Sequence, residues 1–249
     1  MPPAIFRYTA LMDLQESEQT ALRLLLKRFL EENALLNLTA LRTEEACFTG
    51  NILDSLPFLD LLKPKGPLPF PSSMVDIGTG GGFPLLPIAM MLPTVQCTGI
   101  DATKKKIVAV GHIVSDLHLQ NVTLLAERAE VAGHSPRHRE QYDMVLARAV
   151  APLSNLLEFT IPFAKPQGFV VLWKSMHIEQ ELQESIPAQR ELHCTLQRTL
   201  AYDLGGDWGK RQLLVFSKGT PTPKIYPRAV GMVKKMPIGE PITKGKTGK

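Results

Sequence analysis

An α/β domain with an open, mostly parallel sheet, preceded by a helical segment, is the fold class that three features of this 249-residue sequence predict. From Met74 onward, apolar strand-like runs alternate with helical patterns over short connections, as expected for parallel strands covered by helices on both faces. The first of these strands runs into Gly78, Gly80 and Gly82, and a tight strand-to-helix turn needs residues that accept positive φ. Apolar residues make up 44% of the chain, ample for one large core.

The elements follow in order. Leu14, Leu22, Leu25, Leu26 and Phe29 recur at helical spacing between charged residues, predicting an amphipathic helix over residues 13 to 32. Thr43, followed by Glu44 and Glu45, is the N-cap of a second helix that runs to Leu62 and bends or divides at Pro57. Residues 63 to 73 hold four prolines and a glycine and can only link. Strand 74–78, helix 84–92, strand 95–101, helix 103–117, strands 121–126 and 142–147, helix 151–164 and strand 168–174 come next. Runs 197–201 and 212–216, separated by Gly205, Gly206 and Gly209, form a final antiparallel pair. The expected organisation is therefore a helical segment (1–62), a linker (63–73), a sheet domain (74–218) and a basic C-terminal tail (219–249).

Composition narrows the function classes. No run approaches the roughly 18 to 20 apolar residues of a membrane helix, and the start shows no charged region followed by an apolar run, so a cytoplasmic protein is expected. Cys47, Cys97 and Cys194 are too scattered for a disulfide framework or a metal knuckle and read as buried thiols. His134 and His138 have helical metal-pair spacing, but the intervening Pro136 makes the segment a loop. The net charge is +4, yet residues 218 to 249 alone carry +7, leaving −3 on the rest. A basic tail on an acidic body suits a polyanionic partner, or is simply solvated.

The glycine loop sits at the carboxyl end of its strand, where open α/β sheets bind ligands, and the following helix is expected to offer free N–H groups. A dinucleotide fingerprint needs a glycine where this chain has Phe83. Asp76 ahead of the loop, and Asp101 at the end of the next strand, point instead to S-adenosyl-L-methionine, with Asp101 on the ribose hydroxyls or capping the next helix. Asp76 either orients the loop or meets the methionine ammonium. Ala129 and Glu130 follow the third strand, where adenine is expected. Arg148 ends the strand 142–147 beside the expected methyl group; its alternative is an ion pair with Asp143, Glu127 or Glu130. Lys174, at the end of the last main strand, either touches an RNA phosphate or is a solvated strand-end charge. The sequence lacks the Asn/Asp-Pro-Pro-aromatic tetrapeptide of amino methylation, and no cysteine lies at a strand end for pyrimidine carbon-5 methylation. An acceptor that is already nucleophilic, such as guanine N7, fits better.

Asn37-Leu-Thr-Ala40, Ile52-Leu-Asp-Ser-Leu56, Val75 to Pro84, Asp101-Ala-Thr-Lys-Lys105, Arg128-Ala-Glu130, Arg148 to Leu153 and Tyr226-Pro-Arg228 together make the chain similar to the bacterial small-subunit rRNA guanine-N7 methyltransferases, the RsmG or GidB family. The resemblance implies a class I S-adenosylmethionine-dependent methyltransferase fold: Rossmann-like, with a mostly parallel seven-stranded sheet and N-terminal helices. It implies methylation of N7 of one guanine in 16S rRNA near the decoding region, with 16S rRNA or the small ribosomal subunit as partner; a monomer is expected, although the sequence leaves the oligomeric state open. By matching position, cofactor contacts fall on Gly78, Phe83, Asp101, Ala102, Thr103, Ala129, Glu130 and Arg148, with Gly80 in the same loop; no metal is implied. The chain departs from the family at Gly50 and Asn51, where a basic residue and a histidine are usual. Two other readings compete: a methyltransferase for small molecules or proteins, and a cofactor-sensing RNA-binding protein without turnover.

Overall fold

The computed structural model describes residues 6–7, 14–64, 66–148 and 151–239. Its centre is a sheet of seven long strands, β2 (Ser73–Ile77), β3 (Gln96–Asp101), β4 (Val122–Ala126), β5 (Tyr142–Ala147), β6 (Ala164–Ser175), β7 (Cys194–Asp203) and β8 (Lys210–Lys218), with the two-residue β1 (Phe6–Arg7) on the β7 edge. The order is β1-β7-β8-β6-β5-β2-β3-β4, and only β8 runs antiparallel to its neighbours. After β2 the chain builds β3 and β4 outward on one side, then returns to place β5 on the other. The switch between β2 and β5 opens a crevice at their carboxyl ends, where Gly78 and Arg148 follow the strands.

Alternation along the strands builds two core layers. Met144 and Leu146 of β5 face Phe58, Leu61, Leu85 and Ile88. Val145 and Ala147 face the opposite layer, with Leu153, Leu156 and Leu157 of α6 (Leu153–Thr160). A third cluster ties the N-terminal helix α1 (Glu16–Leu36), through Leu22, Leu25, Leu26 and Phe29, to Phe83, Leu86, Val110 and Ile113. The N-terminal helices are thus packed onto the sheet domain.

Local details depart from expectation in places. α2 (Glu44–Cys47) begins as predicted, with Thr43 Oγ1 accepting the Ala46 amide at 3.1 Å, but it continues as a π turn (Phe48–Ile52) and a 3₁₀ helix (Leu53–Leu61) that carries Pro57. Proline lacks an N–H and cannot join a regular α ladder, so the tighter 3₁₀ form accommodates it. β6 starts four residues earlier than expected, at Ala164, after a 3₁₀ turn has ended the helical run at Phe163. β7 and β8 are each longer at both ends than the runs predicted for them.

Two residues of the basic C-terminal run are not free charges. Lys218 is fully buried, with its Nζ 2.6 Å from Glu140 and 2.9 Å from the Ala164 carbonyl. Burial lowers the Lys218 pKa, while at Glu140 the Lys218 ammonium and the Thr222 amide outweigh burial and keep the carboxyl below its usual range. Arg228 donates to both oxygens of buried Glu158, and Arg139 bonds the carbonyls of Thr222, Pro223 and Tyr226. Residues 222–228 are therefore strapped to the body. Lys244, Lys246 and Lys249 lie outside the described residues, as do Ala149 and Val150 of the Arg148 motif.

Candidate active site

The main chain shapes the β2 side of the crevice. Gly78, Gly80 and Gly82 have φ of +77°, +56° and +91°, and the loop is pinned by the Gly78 and Thr79 amides on the Ile100 carbonyl. Nothing lies within 4 Å of where a Gly78 Cβ would stand, so this stretch of backbone is an open floor. At Gly82, by contrast, a Cβ would meet Leu86 at 2.6 Å: here glycine lets the loop close on its helix. The expectation that the next helix α3 (Leu85–Met91) offers a row of free amides needs correction. Pro84 and Pro87 have no N–H, and the Phe83 and Leu86 amides are bonded to the Thr79 and Gly82 carbonyls.

Beside the floor lies Asp76, with no solvent exposure; the Thr79 hydroxyl and the Leu85 amide approach its carboxyl, but neither oxygen is in a completed hydrogen bond. Burial pushes its carboxyl up to about 7, against the nearby Thr79 hydroxyl and Arg148 charge. A buried, unsatisfied carboxyl costs free energy unless something meets it, so the site suits a ligand that brings a cation or hydrogen-bond donors. Asp101 receives the Gly80 amide on one oxygen (2.9 Å) and the Thr103 amide, N-terminal to α4 (Lys104–Asp116), on the other (2.7 Å). It fastens the glycine loop and turns the chain into the helix, whose N-cap is Thr103, without itself capping it, and each oxygen keeps a lone pair for a further donor. Ala102 and Thr103 are exposed beside it. Ala129 and Glu130 open α5 (Ala129–Ala132); Glu130 accepts the Gly231 amide at 3.4 Å, which brings the C-terminal strap to this side of the crevice.

The β5 side is built by side chains. Arg148 donates to the Gly50 carbonyl at 2.7 Å, Asp54 Oδ2 at 3.1 Å and Asn51 Oδ1 at 3.2 Å, and its guanidinium lies 5.9 Å from the Phe83 ring centroid. Its ionic partner is therefore Asp54, not Asp143, Glu127 or Glu130. Phe83 itself is buried edge-on against Phe29, at 4.8 Å between centroids. Asn51 faces Arg148 from within the protein, not from an RNA-facing surface.

Asp54 is the residue that sequence reasoning underrated. Fully buried, it also accepts the Tyr202 hydroxyl at 2.7 Å and Arg211 Nη1 at 3.2 Å, while its carbonyl takes the Trp173 indole N–H at 2.7 Å. Burial, together with the Asp54 charge, raises the Tyr202 pKa, so the phenol stays a donor. The available signal was an acid inside the apolar run Ile52 to Phe58, since a charge there must be paired. Lys174 is not free for RNA: it is held by Glu181 at 2.6 Å and the Ala151 carbonyl at 3.1 Å. His134 and His138 instead bond the Pro227 carbonyl and the Tyr142 hydroxyl. All three cysteines are buried free thiols, with Cys97 and Cys194 pushed up to about 12 by burial.

Beyond Arg148 a cavity of about 900 Å³ continues between the ends of β5, β6 and β8, lined among others by Asp54, Trp173, Trp208, Lys210 and Arg211. An open backbone floor on one side of Arg148, and on the other a cavity lined by Arg148, Lys174, Lys210 and Arg211 together with Asp54, Glu181 and Glu184, allow two molecules to meet there.

The sheet order and the switch-point crevice define a class I methyltransferase fold. The same fold is seen in the [4+2]-cyclase SpnF (TM-score 0.50, 15% identity, 69% of this chain and 82% of that one) and in a putative O-methyltransferase from Klebsiella pneumoniae (TM-score 0.50, 16% identity, 79% and 90%). The family model for rRNA small subunit methyltransferase G matches residues 18–201, and the chain belongs to that family. Relatives named ribosomal RNA small subunit methyltransferase G share 35% identity over 84% of this chain and 87% of theirs in Carboxydothermus hydrogenoformans. In Staphylococcus aureus the identity is again 35%, over 92% of this chain and 94% of the relative. Among the described residues no helix is long and apolar enough to cross a membrane.

Proposed function

We propose that this protein transfers a methyl group from S-adenosylmethionine to N7 of a guanine in 16S rRNA, within the small ribosomal subunit or its precursor in the cytoplasm. The observation that carries the cofactor assignment is the fully buried Asp76 carboxyl, approached by the Thr79 hydroxyl and the Leu85 amide but in no completed hydrogen bond, beside the open Gly78 floor, in a chain of the rRNA methyltransferase family. Asp76 suits the methionine ammonium, the free lone pairs of Asp101 the ribose hydroxyls, and Ala129 and Glu130 the adenine. The cofactor supplies an electrophilic methyl on a cationic sulfur, and guanine N7 has a free lone pair, so no base is needed to remove a proton.

The protein's work is then placement. Asp54, Asn51 and the Gly50 carbonyl fix Arg148 between the two chambers, and Asp54 offsets the charge of Arg148 and Arg211 where a methylated guanine would become cationic. The Gly80 and Thr103 amides on Asp101 hold the floor in register with the next strand. The exposed Lys104 and Lys105, at the start of α4, are available to RNA phosphates.

The test is methyl transfer from radiolabelled S-adenosylmethionine to small subunits from a strain lacking the gene, with the labelled base mapped. Label in 7-methylguanine at one 16S position is expected. Label elsewhere, or none, overturns the proposal; turnover on small molecules or proteins without RNA would favour the competing enzyme reading.

A further inference from the structure

The cavity beyond Arg148 contains a tryptophan that the cofactor side does not use. Trp208 stands in the turn between β7 and β8, among Gly205, Gly206 and Gly209, which have φ of +76°, +52° and +60°. Nothing lies within 4 Å of a Cβ at any of the three, so these glycines serve the conformation of the turn and not its packing. The indole edge rests on Gly50: a Cβ there would stand 2.5 Å from Cη2 and 2.6 Å from Cζ3. On one face the Arg211 guanidinium lies 5.7 Å from the indole centroid, and Asp54 holds that same guanidinium at 3.2 Å. The indole is half-buried, forms part of the cavity wall, and neighbours the exposed Lys210.

A ring fixed on its edge by Gly50, backed by a tethered cation and still facing a cavity, offers a flat π surface. Anions alone would need only the arginines and lysine; a planar base attached to phosphates uses both features, and base stacking on an aromatic side chain tolerates a swap of one aromatic for another. We propose that Trp208 is the stacking platform for the acceptor purine, with Arg211 backing the ring and Lys210 taking the adjoining phosphate. This rests on the reading of the chain as a guanine-N7 methyltransferase and assigns its acceptor side.

Steady-state methylation of small subunits from the deletion strain, run on wild type, Trp208→Phe, Trp208→Ala and Gly50→Ala, tests it. Trp208→Ala is expected to raise the acceptor KM about 10-fold or more, Trp208→Phe to retain most of the wild-type value, and Gly50→Ala to mimic the loss by displacing the ring. Cofactor affinity by equilibrium dialysis stays unchanged in both Trp208 variants. A second readout needs no turnover: guanosine 5′-monophosphate should quench tryptophan fluorescence much more strongly in wild type than in Trp208→Phe, where only Trp173, buried in the lining of the same cavity, remains to report. An unchanged KM in Trp208→Ala, no quenching in wild type, or quenching of equal size in Trp208→Phe overturns the assignment. If wild type itself fails to methylate subunits, the guanine-N7 reading fails instead.

Discussion

The two walls of the crevice are held by different forces. On the β2 side the main chain does the work: three glycines at positive φ, amides on a strand-end carbonyl, and Asp101 receiving two backbone N–H groups. On the β5 side the work falls to charged and aromatic side chains brought together across the sequence, with Asp54 joining Arg148, Tyr202 and Arg211. A wall of backbone is stiff and tolerates change in most side chains; a wall of buried charges depends on each member, because removing one strands the others.

The largest effect should therefore come from Asp54→Ala. It takes the shared carboxylate from two guanidiniums and a phenol, and a loss of about 3 to 5 kcal/mol in denaturant unfolding is expected, as for other broken buried pairs. A loss under about 1 kcal/mol, the range of surface ion pairs, would mean that the hub is not structural.

The contrast also governs what the sequence revealed. The β2 wall was legible because its determinants are contiguous: an apolar strand, alternating glycines, and an acid at the end of the next strand. The β5 wall was only half legible. Arg148 could be placed at a strand end, but its partner Asp54 lies 94 positions away and Arg211 lies 157 positions from Asp54, distances over which no local pattern operates. Pro57 announced a break, and only packing decided that the break would be a π turn and a 3₁₀ helix. The C-terminal charge run was misread in part for the same reason, since Lys218 and Arg228 look like free cations until Glu140 and Glu158 are brought beside them.

On the β2 wall a smaller, pH-dependent effect is expected at Asp76. Its carboxyl titrates at about 7 in the folded protein against an ordinary value of 3.8. The unfolded chain thus holds fewer protons between those values, and the free protein loses stability as pH rises from 3.8 to about 7, then levels off. If the carboxylate meets the cofactor ammonium, cofactor binding tightens over pH 6 to 8. Asp76→Asn should flatten both profiles, which thermal melts and dialysis across that range would reveal; parallel profiles for the two proteins would remove Asp76 from the ligand.

The smallest effect concerns neither wall. Removing residues 240–249, which carry Lys244, Lys246 and Lys249, should reduce the slope of log affinity for rRNA against log salt, by about 0.7 to 0.9 for each phosphate that the truncated chain no longer neutralises. An unchanged slope assigns RNA binding to the body instead.

The central claim is that one wall serves the cofactor and the other the acceptor. Cofactor dissociation constant and acceptor KM, measured side by side on Asp101→Ala and Arg211→Ala, test it directly. Asp101→Ala should weaken cofactor binding by about 1 to 3 kcal/mol and leave acceptor KM at saturating cofactor near wild type, whereas Arg211→Ala should raise acceptor KM and leave cofactor binding intact. Two variants that each shift both constants alike would contradict the division.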